Sequence, residues 1–210
     1  MRLPGASRSF GLVATASIKR VTFSDVAVLV SGSGTLLQSI LDHQDENYRV
    51  VLVVADQVCP AVDRARRAGV PTRVVEMGED RAEWNLRLRQ VVEAGGPDVV
   101  VSAGFMRILG PEFLARFEGR LINTHPALLP AFPGAHAVRD ALAYGVKVTG
   151  TTVHYIDLGI DSGEIIAQRA VDVRPGETEE HLHERIKQQE RELIVDVLRR
   201  ARLEDGKVTF

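Results

Sequence analysis

Four short aliphatic runs constrain this chain more than any other feature: residues 26–30, 50–55, 98–102 and the stretch leading into 123–125. They are apolar at successive rather than alternate positions. Such a run needs cover on both faces, which describes a strand inside a parallel sheet with helices above and below. Helical periodicities fall between the runs. Leu36, Leu37, Ile40 and Leu41 share one face; a short helix over 61–68 is stopped by Gly69 and Pro71. After a short strand at 73–75, Trp84, Leu88, Val91 and Val92 fall at i, i+4, i+7 and i+8, and Gly95-Gly96-Pro97 ends that helix. The alternation predicts an α/β fold: a doubly wound, mostly parallel sheet flanked by helices. Ligands of such sheets bind beyond the carboxyl ends of the strands. Attention therefore goes to residues 31–34, 55–56, 103–105 and 123–125.

After residue 145 the pattern changes. Residues 148–156 and 165–173 read as strands joined by a Gly/Asp-rich loop at 157–163, a hairpin expected to pack beside the parallel sheet. A long helix follows from Thr178, an N-cap with Glu179 and Glu180 in the first turn, to about Arg202.

A length of 210 residues fits a single domain, placed at 25–210. The 26 Lys and Arg are interspersed with 28 Asp and Glu, leaving no basic face for nucleic acid. No apolar run reaches the roughly 18 residues of a membrane span. Cys59 is the single cysteine, so there is no internal disulfide, in keeping with a reducing, cytoplasmic setting. No base stands out beside it to make it a nucleophile. Residues 1–24 contain Arg2, Arg8, Lys19 and Arg20 but no acid. They read as a disordered extension, with a targeting peptide as the alternative.

The turn Ser31-Gly32-Ser33-Gly34-Thr35 lies between strand and helix, where backbone N–H groups favour an anion such as phosphate. Asp56, at the end of the second strand, invites a dinucleotide reading. Leu37, however, stands where that fingerprint needs its third glycine. A tight turn without a ligand is the remaining alternative.

The most informative stretch runs from Leu121 to Pro130. Asn123 and His125, two apart on a strand, share a face. Asp161 lies far downstream in the Gly/Asp-rich loop. Acyl transfer to an amine needs an oxyanion stabilised, a proton removed from the amine and a proton given to the departing nitrogen. An Asn amide, an imidazole and a carboxylate that favours the imidazolium suit those tasks.

These segments resemble the formyltransferase family that uses 10-formyltetrahydrofolate. The resemblance runs over about residues 25–200, through 103–109, 123–133, 148–154, Asp161-Ser162-Gly163 and the last helix. Phe132-Pro133-Gly134, Val153-His154 and the lack of a second domain favour the branch that formylates glycinamide ribonucleotide in purine synthesis. The resemblance implies a Rossmann-like formyltransferase fold with a C-terminal β-hairpin and long helix, the N-terminal half holding ribonucleotide and the C-terminal half folate. It implies Asn123, His125 and Asp161 as catalytic residues. Gly34, Thr35, Leu36, Lys187 and Glu190 would meet the ribonucleotide. Arg81, Met106, Arg107, Ile108, Leu109, Asn123, Asp157, Gly159 and Asp161 would meet the folate. Relatives often carry Asn where Leu36 stands and Gln where Lys187 stands. The implied co-substrate is 10-formyltetrahydrofolate, with no metal, and the partners are small molecules, a homodimer being left open. A formyltransferase acting on another amine, or an inactive folate- or phosphate-binding domain, are the competing readings. Spacing supports Glu190 independently: Leu182, Ile186, Glu190, Leu193 and Val197 share one helix face, where a carboxylate is costly without a partner, either a ribose hydroxyl or glycine amine of the ligand or a buried salt bridge. His181 and His183 point different ways on their helix and form no metal-binding pair. His136 and His154 fall near the site by resemblance and are given no proton-transfer role.

Overall fold

The computed structural model describes residues 24–204 and 206–210. The extension expected at 1–24 thus lies outside the described residues, apart from Ser24, which opens the first strand and is buried. In chain order the elements are β1 (Ser24–Val30), α1 (Thr35–Asp42), β2 (Tyr48–Ala55), α2 (Pro60–Arg67), β3 (Thr72–Val74), α3 (Arg81–Ala94), β4 (Val99–Ser102), α4 (Pro111–Arg116) and β5 (Leu121–His125). There follow α5 (Ala137–Tyr144), β6 (Val148–Tyr155), β7 (Ile165–Asp172), α6 (Glu179–Arg200), β8 (Arg202–Glu204) and β9 (Lys207–Thr209).

Seven strands form one sheet in the order β3-β2-β1-β4-β5-β6-β7. The first five are parallel. β6 runs antiparallel to β5, and β7 antiparallel to β6. The hairpin expected beside the sheet is therefore its continuation: Asn123 pairs directly with His154. A second, two-stranded hairpin, β8-β9, follows the long helix, which ends at Arg200 because Arg202 already belongs to β8.

Alternate residues of β1 feed two apolar layers, as the pleat requires. Val26, Val28 and Val30 pack with α1, α2 and α6, through residues such as Leu37, Ile40, Val62 and Ile194. Ala27 and Leu29 pack on the other face with Trp84, Leu88, Phe113 and Phe117 of the α3–α4 region. This double cover is why the strands are apolar throughout. α3 is capped by Asp80, whose carboxylate accepts from Ala82 N and Glu83 N. Thr178 caps α6 through its hydroxyl, as expected.

β7 is one edge of the sheet. Its Arg169 reaches across to Glu192 and Asp196 of α6. Gly150 of β6 sits where a Cβ would lie 2.0 Å from the carbonyl oxygen of Arg169 on β7. Gly150→Ala should therefore lower unfolding stability by about 3 kcal/mol, read by urea denaturation. A loss below 0.5 kcal/mol, roughly the scatter of neutral surface changes, would show that the hairpin does not pair this closely.

Candidate active site

β5 delivers the central pair. His125 is 4% exposed, and its Nε2 lies 2.8 Å from the carbonyl oxygen of Phe132. That oxygen can only accept, so Nε2 carries a proton and donates it. Nδ1 then faces Asp161 Oδ2 at 3.3 Å. The imidazole thus has one nitrogen on a backbone carbonyl and the other facing a carboxylate. Asp161 Oδ2 also accepts from Gly134 N at 2.8 Å. Among the described residues, two that are not glycine have positive φ: Phe132 at 54° and Asp161 at 51°. They are the two partners of His125. Left-handed backbone at a phenylalanine is uncommon and signals local strain held by surrounding structure.

Asn123 is placed by a second histidine. His154, on β6, donates from Nδ1 to its neighbour's carbonyl, Tyr155 O, at 2.8 Å. Burial lowers its pKa below the ordinary 6.5, outweighing the raising influence of that bond and of Asp161. The neutral ring presents Nε2 as an acceptor, and Asn123 Nδ2 lies 3.4 Å away. One amide N–H is thus oriented by His154, leaving the other for a ligand. His154 Nε2 is also 3.6 Å from Asp161 Oδ1. The sequence reading gave His154 no part in the chemistry, and only its register opposite Asn123 reveals one.

A cavity of about 370 Å³ opens beside this cluster. Its wall includes Arg107, Ile108, Leu109, Asn123, Asp157, Gly159 and Asp161, seven of the nine residues expected to meet folate. Asp157 shapes the loop, accepting from Gly159 N at 3.0 Å and Ser162 Oγ at 2.8 Å. The other two expected residues do not line this cavity. Met106 is 77% exposed. Arg81 donates to Ile108 O at 3.0 Å and so braces the wall from behind. Two larger depressions, about 630 Å³ each, lie between β3 and α3 and between β7 and α6. Neither touches the Asn123–His125–Asp161 cluster.

The glycine turn is built for close packing. Gly34 has φ 70°, and a Cβ on it would lie 2.6 Å from Ala61 Cβ. Thr35 opens α1. Leu36 turns its side chain into the core, so only its backbone faces the turn. Burial speaks against the dinucleotide reading of Asp56: its side chain is 1% exposed, and Oδ2 accepts from Arg107 Nε at 2.6 Å, so the carboxylate is not presented to a ribose. On α6, Lys187 Nζ lies 3.9 Å from Glu184 and is partly exposed. Burial raises the pKa of Glu190, with the Thr124 hydroxyl bond, Lys187 and Arg191 opposing it. Glu190 therefore joins α6 to β5 at the residue between Asn123 and His125. Among the described residues no group of three or more His, Cys, Asp or Glu is placed to hold a metal ion. No helix there is long and apolar enough to cross a membrane.

The formyl transferase family model matches residues 24–198, and the chain belongs to that family. The phosphoribosylglycinamide formyltransferase of Mycobacterium tuberculosis (strain H37Rv) is 55% identical over 174 residues, 81% of this chain and 81% of that protein. The trifunctional purine biosynthetic protein adenosine-3 of Homo sapiens is 41% identical over 175 residues, 80% of this chain and 17% of the other. The crystal structure of glycinamide ribonucleotide transformylase 1 from Symbiobacterium toebii shares 39% identity with a TM-score of 0.84, covering 90% of this chain and 95% of that one.

Glu190 yields a stability prediction. Because its folded pKa lies above the ordinary 4.5, the folded chain holds the proton more tightly than the unfolded one. The ionised carboxylate thus opposes folding above the raised pKa, and the penalty disappears below 4.5. Glu190→Gln keeps an acceptor for Thr124 and removes that penalty. Its Tm should exceed wild type at about pH 8, with the gap closing as pH falls below the ordinary carboxylate range. A lower Tm at both ends would contradict this account.

Proposed function

We infer that this chain transfers the formyl group of 10-formyltetrahydrofolate to the amine of glycinamide ribonucleotide, giving formylglycinamide ribonucleotide and tetrahydrofolate. The observation that carries this reading is the approach of His125 Nδ1 to Asp161 Oδ2 at 3.3 Å beside Asn123, whose amide is oriented by His154 at a cavity wall. The 55% identity to a phosphoribosylglycinamide formyltransferase supports the choice of amine. The setting we propose is the cytoplasm and de novo purine synthesis.

The amine nitrogen attacks the formyl carbon, and the carbonyl oxygen gains negative charge. The free Asn123 N–H supplies a donor to that oxygen. The attacking nitrogen must lose one proton, and the departing folate nitrogen must gain one. The His125 Nδ1 and Asp161 Oδ2 atoms, 3.3 Å apart, form the axis along which a proton is passed. Asp161, which reaches the cavity wall, takes the amine proton, and the pair returns one to the leaving nitrogen. The buried ring stands behind the carboxyl, with Nε2 engaged by Phe132. This makes His125 a proton reservoir behind the carboxyl.

The ribonucleotide is assigned to the turn at Gly34, Thr35 and Leu36, with backbone N–H groups on its phosphate, and to Glu190 and Lys187 on α6. The folate is assigned to the 370 Å³ cavity, with Arg81 and Met106 at its margin. No step calls for a metal.

The test is a direct assay with both substrates, following release of tetrahydrofolate. Turnover is expected with glycinamide ribonucleotide, and turnover only with another amine would overturn the assignment. His125→Ala should lower kcat on the order of a hundredfold or more, with substrate KM values changing far less. An unchanged kcat would remove His125 from the mechanism.

A further inference from the structure

The segment between β4 and α4 forms one wall of the cavity, and it is pinned from four sides. Met106 N donates to Ser31 Oγ at 2.9 Å, at the carboxyl end of β1. Arg107 Nε donates to Asp56 Oδ2 at 2.6 Å, just beyond β2. Arg81 holds Ile108 O, and Asn85 Oδ1 accepts from Gly110 N at 2.6 Å. Three of these anchors are neutral or exposed. Asp56 is neither: its side chain is 1% exposed, and its second oxygen, Oδ1, is buried without a hydrogen-bond partner.

That arrangement is poor as pure bracing. A buried carboxylate oxygen without a partner carries an uncompensated desolvation cost. An asparagine would keep an acceptor for Arg107 Nε without burying a charge. Its guanidinium partner stands at the cavity wall with its side chain 37% exposed. Nε is the guanidinium nitrogen bonded to Asp56, and among the described residues the two terminal nitrogens have no hydrogen-bond partner. A carboxylate bonded to Nε fixes the plane of the fork and leaves its outer edge for an acceptor.

We propose that Asp56 is a positioning residue for the co-substrate: its buried carboxylate sets the Arg107 guanidinium at the cavity wall so that the outer nitrogens receive an acceptor group of the folate. This rests on the assignment of that cavity to folate. The anchor also sits one residue from Gln57, whose Nε2 donates to Ser31 O at 2.8 Å. The glycine turn and the folate wall are therefore built on the same two strand ends.

The experiment compares wild type, Asp56→Ala and Asp56→Asn by calorimetric titration with tetrahydrofolate and by steady-state kinetics in each substrate. Asp56→Ala should weaken tetrahydrofolate binding, and raise KM for 10-formyltetrahydrofolate, about tenfold, the loss of one charge-assisted contact. Its kcat and its KM for the ribonucleotide should stay within about twofold. Asp56→Asn, which still accepts from Nε but carries no charge, should recover only part of the affinity, at an unchanged or higher Tm. Unchanged tetrahydrofolate affinity in Asp56→Ala overturns the proposal. So does a parallel loss in kcat and both KM values accompanied by a lower Tm, the mark of bracing alone. Wild type that binds tetrahydrofolate yet formylates no amine overturns the assigned reaction, while the titrations still decide the role of Asp56. Failure of wild type to bind tetrahydrofolate overturns both.

Discussion

The His125 imidazole is gripped at both nitrogens, and much of the site is arranged to keep it so. Phe132 O accepts a hydrogen bond from Nε2 and Asp161 faces Nδ1. Both partners stand on left-handed backbone, at φ 54° and 51°. Neither conformation is cheap on its own. Each persists because the strand, the Pro-rich exit after His125 and the 157–163 loop converge on one ring. Strain at such a point fixes the ring in one orientation that local backbone preference alone would not hold.

Three consecutive residues of β5 divide the work between two sides of the sheet. Asn123 meets His154 and the 370 Å³ cavity, and His125 meets Asp161. Thr124 points the other way and donates to Glu190 of α6. The alternation of a strand thus places the Asn123–His125 pair and the Glu190 contact on either side of one short segment. Glu190 is the cost of that design. Its carboxylate is desolvated on an apolar stripe, and a cationic or hydroxyl-bearing ligand offsets the penalty that the protein alone bears.

What the sequence discloses follows the range of the signal. The β1–α1–β2 unit and α3 were legible because their periodicity is local: Leu36, Leu37, Ile40 and Leu41 all proved buried. So was the Asn123–His125 pair, since a two-residue spacing fixes a shared face. Two short helices escaped notice, α4 with six residues and α5 with eight, because too few turns fall between their Gly and Pro neighbours to show a period. The hairpin was expected beside the sheet, but strand periodicity does not state which strand it joins; pairing of Asn123 with His154 is a fact of register. Asp161 was reached only through family resemblance. The Asp56–Arg107 pair spans 51 residues and no spacing rule connects its members.

The ion pairs of Arg169 have a consequence for how the protein behaves among copies of itself. β7 offers eight residues of open edge, Ile-Ile-Ala-Gln-Arg-Ala-Val-Asp, and without its charges that sequence would make a template for strand-to-strand aggregation. Arg169, leashed to Glu192 and Asp196, and Asp172 at the strand's end place charge along an otherwise inviting border. The opposite border is guarded by brevity, since β3 has only three residues. A sheet whose interior is nearly all aliphatic is thereby kept from growing sideways.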